Sequence, residues 1–227
     1  MNKPQAIIFD MDGLLVDSEP LWFEAEKKVF RKVGINLDEK MILQTKGRRV
    51  DEVVDYWHKK RGWGSPSKED VTNEILRTVI SLVEKNGRLL AGALQAIELA
   101  RALVDKVCLA SSSHIALIHA VLKKFKLPAF DCVHSAESEL KGKPDPAVYL
   151  TTCRKIKVAP GNCLAFEDSV NGVASAKAAG MICIAVPAGA ERDDKRFDIA
   201  DAKLNSLEEA NKKLILSLFN KNHKSII

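Results

Sequence analysis

Short, unbroken apolar runs most narrow the folds open to this chain of 227 residues. They are AIIF (6–9), KVCLA (106–110), DCVHS (131–135), CLAFE (163–167) and MICIAV (181–186). Several lack the apolar–polar alternation of a strand with one wet face, which predicts strands covered on both sides. Segments of helical spacing lie at 89–103, 114–125, 145–156 and 171–180. Strands alternating with helices of this length make βαβ units, and those build a parallel sheet. The expected class is α/β.

The rhythm breaks once. Between Glu19 and about Arg88 only helical patterns are found, at 20–34, 51–60 and 68–87. That much helix between the first two strands reads as an inserted cap joined to the sheet by two connections. The expected division is a core of residues 1–17 and 90–227 and a cap of residues 18–89.

In a doubly wound sheet, ligands bind beyond the carboxyl ends of the strands. The polar residues there are Asp10 and Asp12 after the first run, Ser111 to Ser113 after the second, and Glu167 and Asp168 after the fourth. Lys143 follows the third run within KGKPDP. Asp10, Asp12 and Asp168 would repel one another in a small site, and a divalent cation removes that conflict. Mg²⁺ suits carboxylates and a substrate phosphate, whereas zinc favours His or Cys. The Ser111 hydroxyl can donate to a phosphoryl oxygen, with Ser112 beside it as a substrate contact, and Lys143 can neutralise another oxygen. A carboxylate beside such a group can attack phosphorus, and a second can shuttle the proton. The Asp-x-Asp spacing turns both side chains to one side, so one can serve each role. GxxxxGK[ST] and a GxGxxG after a strand are both missing, so a nucleotide cofactor is not expected.

Composition closes other routes. Hydrophobic residues make up 46% and charged residues 29%, the profile of a globular chain. No apolar run nears the ~20 residues of a membrane helix, and the first strand pattern leaves no room for a signal peptide. The five cysteines form no CxxC and sit mostly in apolar runs, as reduced thiols do. The net charge of +5 is scattered apart from a basic tail at 211–224, which is expected to pack as a last helix. A nucleic-acid surface would cluster its charge among aromatics. The expectation is a cytoplasmic monomer that binds neither nucleic acid nor membrane, with a small anionic substrate.

FDMDGLLVDSE, LASSS, KGKPDP and LAFEDSVNGV, in this order, resemble the four motifs of the haloacid dehalogenase (HAD) superfamily. The resemblance spans essentially the whole chain. It implies a HAD-like Rossmannoid parallel-sheet core with a helical, C1-type cap inserted after the first motif. Asp10 then matches the nucleophile and Asp12 the acid/base. Ser111 matches the phosphate-binding hydroxyl, and Lys143 the lysine that holds nucleophile and phosphate. Asp168 matches the magnesium ligand, alongside Asp10 and the Asp12 backbone carbonyl, with Glu167 supporting the metal through water.

Within the superfamily, DMDGLLVDSEPLW, SLVEKNGRLLAG, SAESELKGKPDPAVYL and FEDSVNGVASAKAAGM resemble the bacterial hexitol phosphatase B / 2-deoxyglucose-6-phosphate phosphatase group. That implies a Mg²⁺-dependent phosphatase acting on small sugar or hexitol phosphates. Arg48 and Arg49, in TKGRRVDEVV, are cap candidates for substrate, with Arg49 favoured by resemblance. Trp22 is a candidate wall against a sugar face. The alternatives are a β-phosphoglucomutase-type sugar phosphomutase and a non-catalytic sugar-phosphate-binding protein. Related mutases place a histidine twelve residues after the nucleophile, where this chain has Trp22.

Overall fold

In the computed structural model, which describes residues 3–222, the expected sheet forms as six parallel strands. They are β1 (Ala6–Phe9), β2 (Lys106–Ser111), β3 (Cys132–Ser135), β4 (Cys163–Glu167), β5 (Ile182–Ala185) and β6 (Ala202–Lys203), in the order β3-β2-β1-β4-β5-β6. The first five coincide with the apolar runs. β1 is central, its Ile8 lying in register with Cys108 on one side and Ala165 on the other.

Both faces of the sheet are buried, as unbroken apolar runs require. Ile7, Phe9, Leu109, Leu164 and Phe166 face one core. Phe9 and Phe166 stack there with ring centroids 5.1 Å apart. Helices α5 (Ala93–Leu103), α6 (Ile115–Phe125) and α9 (Lys212–Asn222) cover this face with residues such as Ile97, Leu117 and Phe219. Ile8, Cys108, Ala110 and Ala165 face the other core, closed by α7 (Ala147–Ile156) and α8 (Val170–Ala178). Helix α9 carries most of the basic tail; His223 and Lys224 lie outside the described residues.

Between β1 and β2 run α1 (Glu19–Lys32), α2 (Glu39–Leu43), α3 (Val50–Arg61) and α4 (Lys68–Asn86). Helix α4 starts at a capping box in which Ser67 and Asp70 satisfy each other's backbone N–H. Its Val71, Ile75, Val79 and Val83 are buried in one cluster with Val29 and Phe30 of α1 and Val54 and Trp57 of α3. The chain enters and leaves this bundle side by side: Asp17 N–H donates to Arg88 O at 2.9 Å and Leu90 N–H to Leu15 O at 3.0 Å. At the far end of α4, Lys124 Nζ of α6 donates to Val83 O at 2.7 Å and Glu84 O at 2.8 Å. A cation there complements the carboxyl end of the helix. Among the described residues no helix is long and apolar enough to cross a membrane.

Candidate active site

The chain leaves β1 toward β2 on one side and later returns to β4 on the other. The crevice at such a reversal is where open α/β sheets bind ligands. Here the ends of β1, β2 and β4 and the loop after β3 converge.

Asp10 directly follows β1 and is 5% exposed. Lys143, 2% exposed, reaches in from its loop. Its Nζ donates to Asp10 Oδ1 and to Glu167 Oε1, each at 2.6 Å, and to Ala110 O at 3.3 Å. Tyr149 O–H also donates to Glu167 Oε1. Asp10 Oδ2 receives no hydrogen bond among the described residues. Burial pushes the Asp10 carboxyl up to about 7; Lys143 opposes this, while Glu167 and Asp12 add to it. Burial alone would lower Lys143, but the two carboxylates outweigh it and hold the ammonium above its usual range.

Asp10, Glu167 and Asp168 bring carboxylate oxygens within 4.8 Å of one another, all buried. Glu167 Oε2 and Asp168 Oδ2 find no hydrogen-bond partner among the described residues. Burial drives Asp168 well above the usual carboxylate range; Lys46 counters it, and Asp10, Glu19 and Glu167 reinforce it. Buried carboxylate oxygens short of hydrogen-bond donors in a crowd of like charge, with only the Lys46 ammonium 3.4 Å from Asp168 Oδ2, fit a hard divalent cation. The turn that holds the cluster needs glycine. Gly13 has φ of 73°, and a Cβ there would collide with Asp168 Oδ2.

Asp12 stands on the cleft side of Asp10, its carboxylate held by three donors. Ser18 Oγ and Trp22 Nε1 donate to Oδ1 at 2.7 and 2.9 Å, and Ser113 Oγ donates to Oδ2 at 2.6 Å. The start of α1 and the loop after β2 thus orient this carboxylate together. Ser111 Oγ accepts from Ser113 N–H at 3.0 Å, and Ser112 Oγ donates to Gly47 O at 3.0 Å.

Above this floor is a cleft of about 740 Å³, open mouth included. Asp10, Asp12, Ser111, Ser112, Lys143 and Asp168 line its base, while Trp22 and Arg48 line its upper wall. Arg48 also lies over the Tyr56 ring, 5.5 Å from its centroid. Glu167 belongs to the buried layer beneath. Arg49 is not among the lining residues. Its Nη1 donates to Ala136 O at 2.9 Å and Glu139 O at 2.6 Å, and its Nη2 to Asp51 Oδ2 at 2.7 Å. As the N-cap of α3 it is turned toward the loop after β3, so Arg48 is the arginine at the cleft.

Sequence reasoning passed over Lys46. Its Nζ lies 3.1 Å from Glu19 Oε1 and 3.4 Å from Asp168 Oδ2, and pairs with Glu191. Burial would lower its pKa, but these three acids hold it above the usual lysine range. The only signal was its place beside Gly47 in TKGRR. Glu19, Glu26 and Thr45 of the lining were also unanticipated, as was Tyr149 beneath.

A family profile described as haloacid dehalogenase-like hydrolase matches residues 4–180. Hexitol phosphatase B of Escherichia coli (strain K12) is 44% identical over 221 residues, which is 95% of this chain and 100% of that protein. The β-phosphoglucomutase of Bacillus subtilis (strain 168) is 28% identical over 192 residues, 82% of this chain and 84% of that one. Among solved structures, CbbY from Rhodobacter sphaeroides in complex with phosphate superposes with a TM-score of 0.80 at 27% identity, covering 91% of this chain and 96% of that chain.

Proposed function

Because this chain belongs to the haloacid dehalogenase-like hydrolases, we propose that it hydrolyses small sugar or hexitol phosphates by way of an aspartyl-phosphate on Asp10. It is a phosphoric monoester hydrolase of that family. The observation that carries the finer reading is the junction of Asp10, Lys143, Glu167 and Asp168 beneath a cleft floored by serine hydroxyls. The 44% identity to hexitol phosphatase B supports the substrate class. We assign residues 18–89 as the cap and residues 1–17 and 90–227 as the core, and expect a cytoplasmic monomer that binds neither nucleic acid nor membrane.

Each residue has a role. Lys143 holds Asp10 Oδ1, which leaves Oδ2 to attack phosphorus. The P–O bond to the sugar breaks as the Asp10–phosphorus bond forms, and the leaving oxygen takes a proton from Asp12. In the second half, water attacks the phosphoryl group, Asp12 takes its proton, and phosphate leaves Asp10 free. Ser111 and Ser112 donate to the phosphoryl oxygens, which requires Ser112 to release Gly47 O. Mg²⁺ fits beside Asp10 and Asp168 with Glu167 in support, where it would neutralise charge developing on the phosphoryl group.

A mutase would need a group that moves protons on the substrate hydroxyls. Trp22 stands next to Asp12 and can only donate its indole N–H, which favours hydrolysis. A release screen over sugar, hexitol and nucleotide phosphates with Mg²⁺ tests the proposal. Free phosphate from hexose or hexitol phosphates is expected. Isomerised sugar phosphate without free phosphate would mark a mutase, and no turnover across the panel would leave a binding protein.

A further inference from the structure

We infer that Glu26 is the residue that reads the hydroxyl groups of the substrate's sugar or polyol portion; this rests on the function proposed above. Glu19, Trp22 and Glu26 fall on one face of α1, at spacings of three and four residues, and all three line the cleft. Trp22 fixes that face against Asp12. Glu26 lies one helical turn further along, about 6 Å along the axis at 1.5 Å per residue. A leaving group that hands its oxygen to Asp12 and extends a few carbons into the cleft therefore passes Glu26.

Glu26 has no structural task that would explain it. It is 6% exposed, and its Oε2 has no hydrogen-bond partner among the described residues. Its companions on the lining include Trp22, Ile42, Val50 and Val53, a largely apolar surround. An acid in such a place lowers stability unless a ligand completes it. Burial, reinforced by the charge of Glu19, lifts its pKa to about 8, so the carboxyl is largely neutral at pH 7. A neutral carboxyl offers one O–H donor and an acceptor, a match for hydroxyls on neighbouring carbons. The basic groups Lys46 and Arg48 also line the cleft. The two kinds of lining divide the work: charge for phosphate, a neutral polar pair for hydroxyls.

The test measures kcat/KM for sorbitol 6-phosphate and glucose 6-phosphate against 4-nitrophenyl phosphate, whose leaving group carries no aliphatic hydroxyl. In Glu26→Leu the polyol-to-aryl ratio should fall about tenfold or more, mainly through KM of the polyol esters, the size of one lost ligand hydrogen bond. Its melting temperature should not drop, because an unpaired buried acid has been removed. Glu26→Gln keeps a donor and an acceptor and should hold KM within about threefold of the parent, which covers the case where the leucine variant does not fold. A ratio unchanged in Glu26→Leu, or a Glu26→Gln as impaired as the leucine variant, overturns the inference while leaving the phosphatase assignment intact. If the unaltered protein releases phosphate from the aryl ester but from neither polyol ester, the substrate class fails and the inference goes with it.

Discussion

Lys143→Met offers the sharpest physical probe of the floor of the site, because it removes one cation from between two buried carboxylates. Lys143 Nζ touches Asp10 and Glu167 at 2.6 Å each, and all three side chains are at most 8% exposed. Breaking a buried pair on one side typically destabilises by about 3–5 kcal/mol, chiefly because the partner charge is stranded. Even with Lys143 present, Asp10 rises from 3.8 to about 7, an ionisation cost on the order of 4 kcal/mol. A carboxyl raised in the folded state binds more protons there than when unfolded. Stability is therefore full below the ordinary value and falls as pH climbs from about 4 to about 7. Without Lys143 the Asp10 value climbs further and the decline continues above pH 7. The difference between variant and parent should thus be largest near pH 8 and shrink toward pH 5, where a protonated Asp10 needs no counter-charge. Urea denaturation of chelator-treated protein at pH 5, 6.5 and 8 measures it. A deficit equal at all three pH values would mean that lost packing, not stranded charge, sets the effect, and would refute the electrostatic account.

Other expectations follow from the same geometry. Gly13→Ala, strained at φ 73° and driven into Asp168, should lower kcat/KM at least about 100-fold and raise the Mg²⁺ concentration needed for half-maximal rate. Trp22→Phe removes the indole N–H held at 2.9 Å from Asp12 Oδ1 and should lower kcat about tenfold with no gain of mutase product, read by phosphate release and sugar-phosphate chromatography. Arg48→Met should raise KM for sugar phosphates about tenfold. Arg49→Met should move KM less than about threefold yet lower the melting temperature by a few degrees, since its bonds reach the loop after β3.

The sheet was legible because four of its strands, β1, β2, β4 and β5, are buried on both faces, which leaves unbroken apolar runs. β6 was not: two residues, Ala202 and Lys203, carry no period. Helix α2 escaped for a related reason, since its five residues include none that is buried. The acids, the serines and Lys143 could be named because they stand where strands end, and strand ends are a sequence property. Arg48 and Arg49 are adjacent in sequence, and which one faces the cleft depends on how α3 is set against the loop after β3. Glu26 reads in sequence as one more charged residue of an amphipathic helix. Its burial without a partner exists only once α1, α2 and α3 close around it. Lys46 was hidden likewise, because Glu19, Asp168 and Glu191 come from three separate parts of the chain.

The proposed hydrolysis depends on Asp10 as the nucleophile at phosphorus. Rapid quench of the protein with ³²P-labelled hexitol phosphate, followed by peptide mapping, measures that directly. Label should appear within milliseconds on the peptide carrying Asp10, decay as free phosphate forms, and vanish in Asp10→Asn. Phosphate released at a normal rate by Asp10→Asn, or label on a different residue, would contradict it.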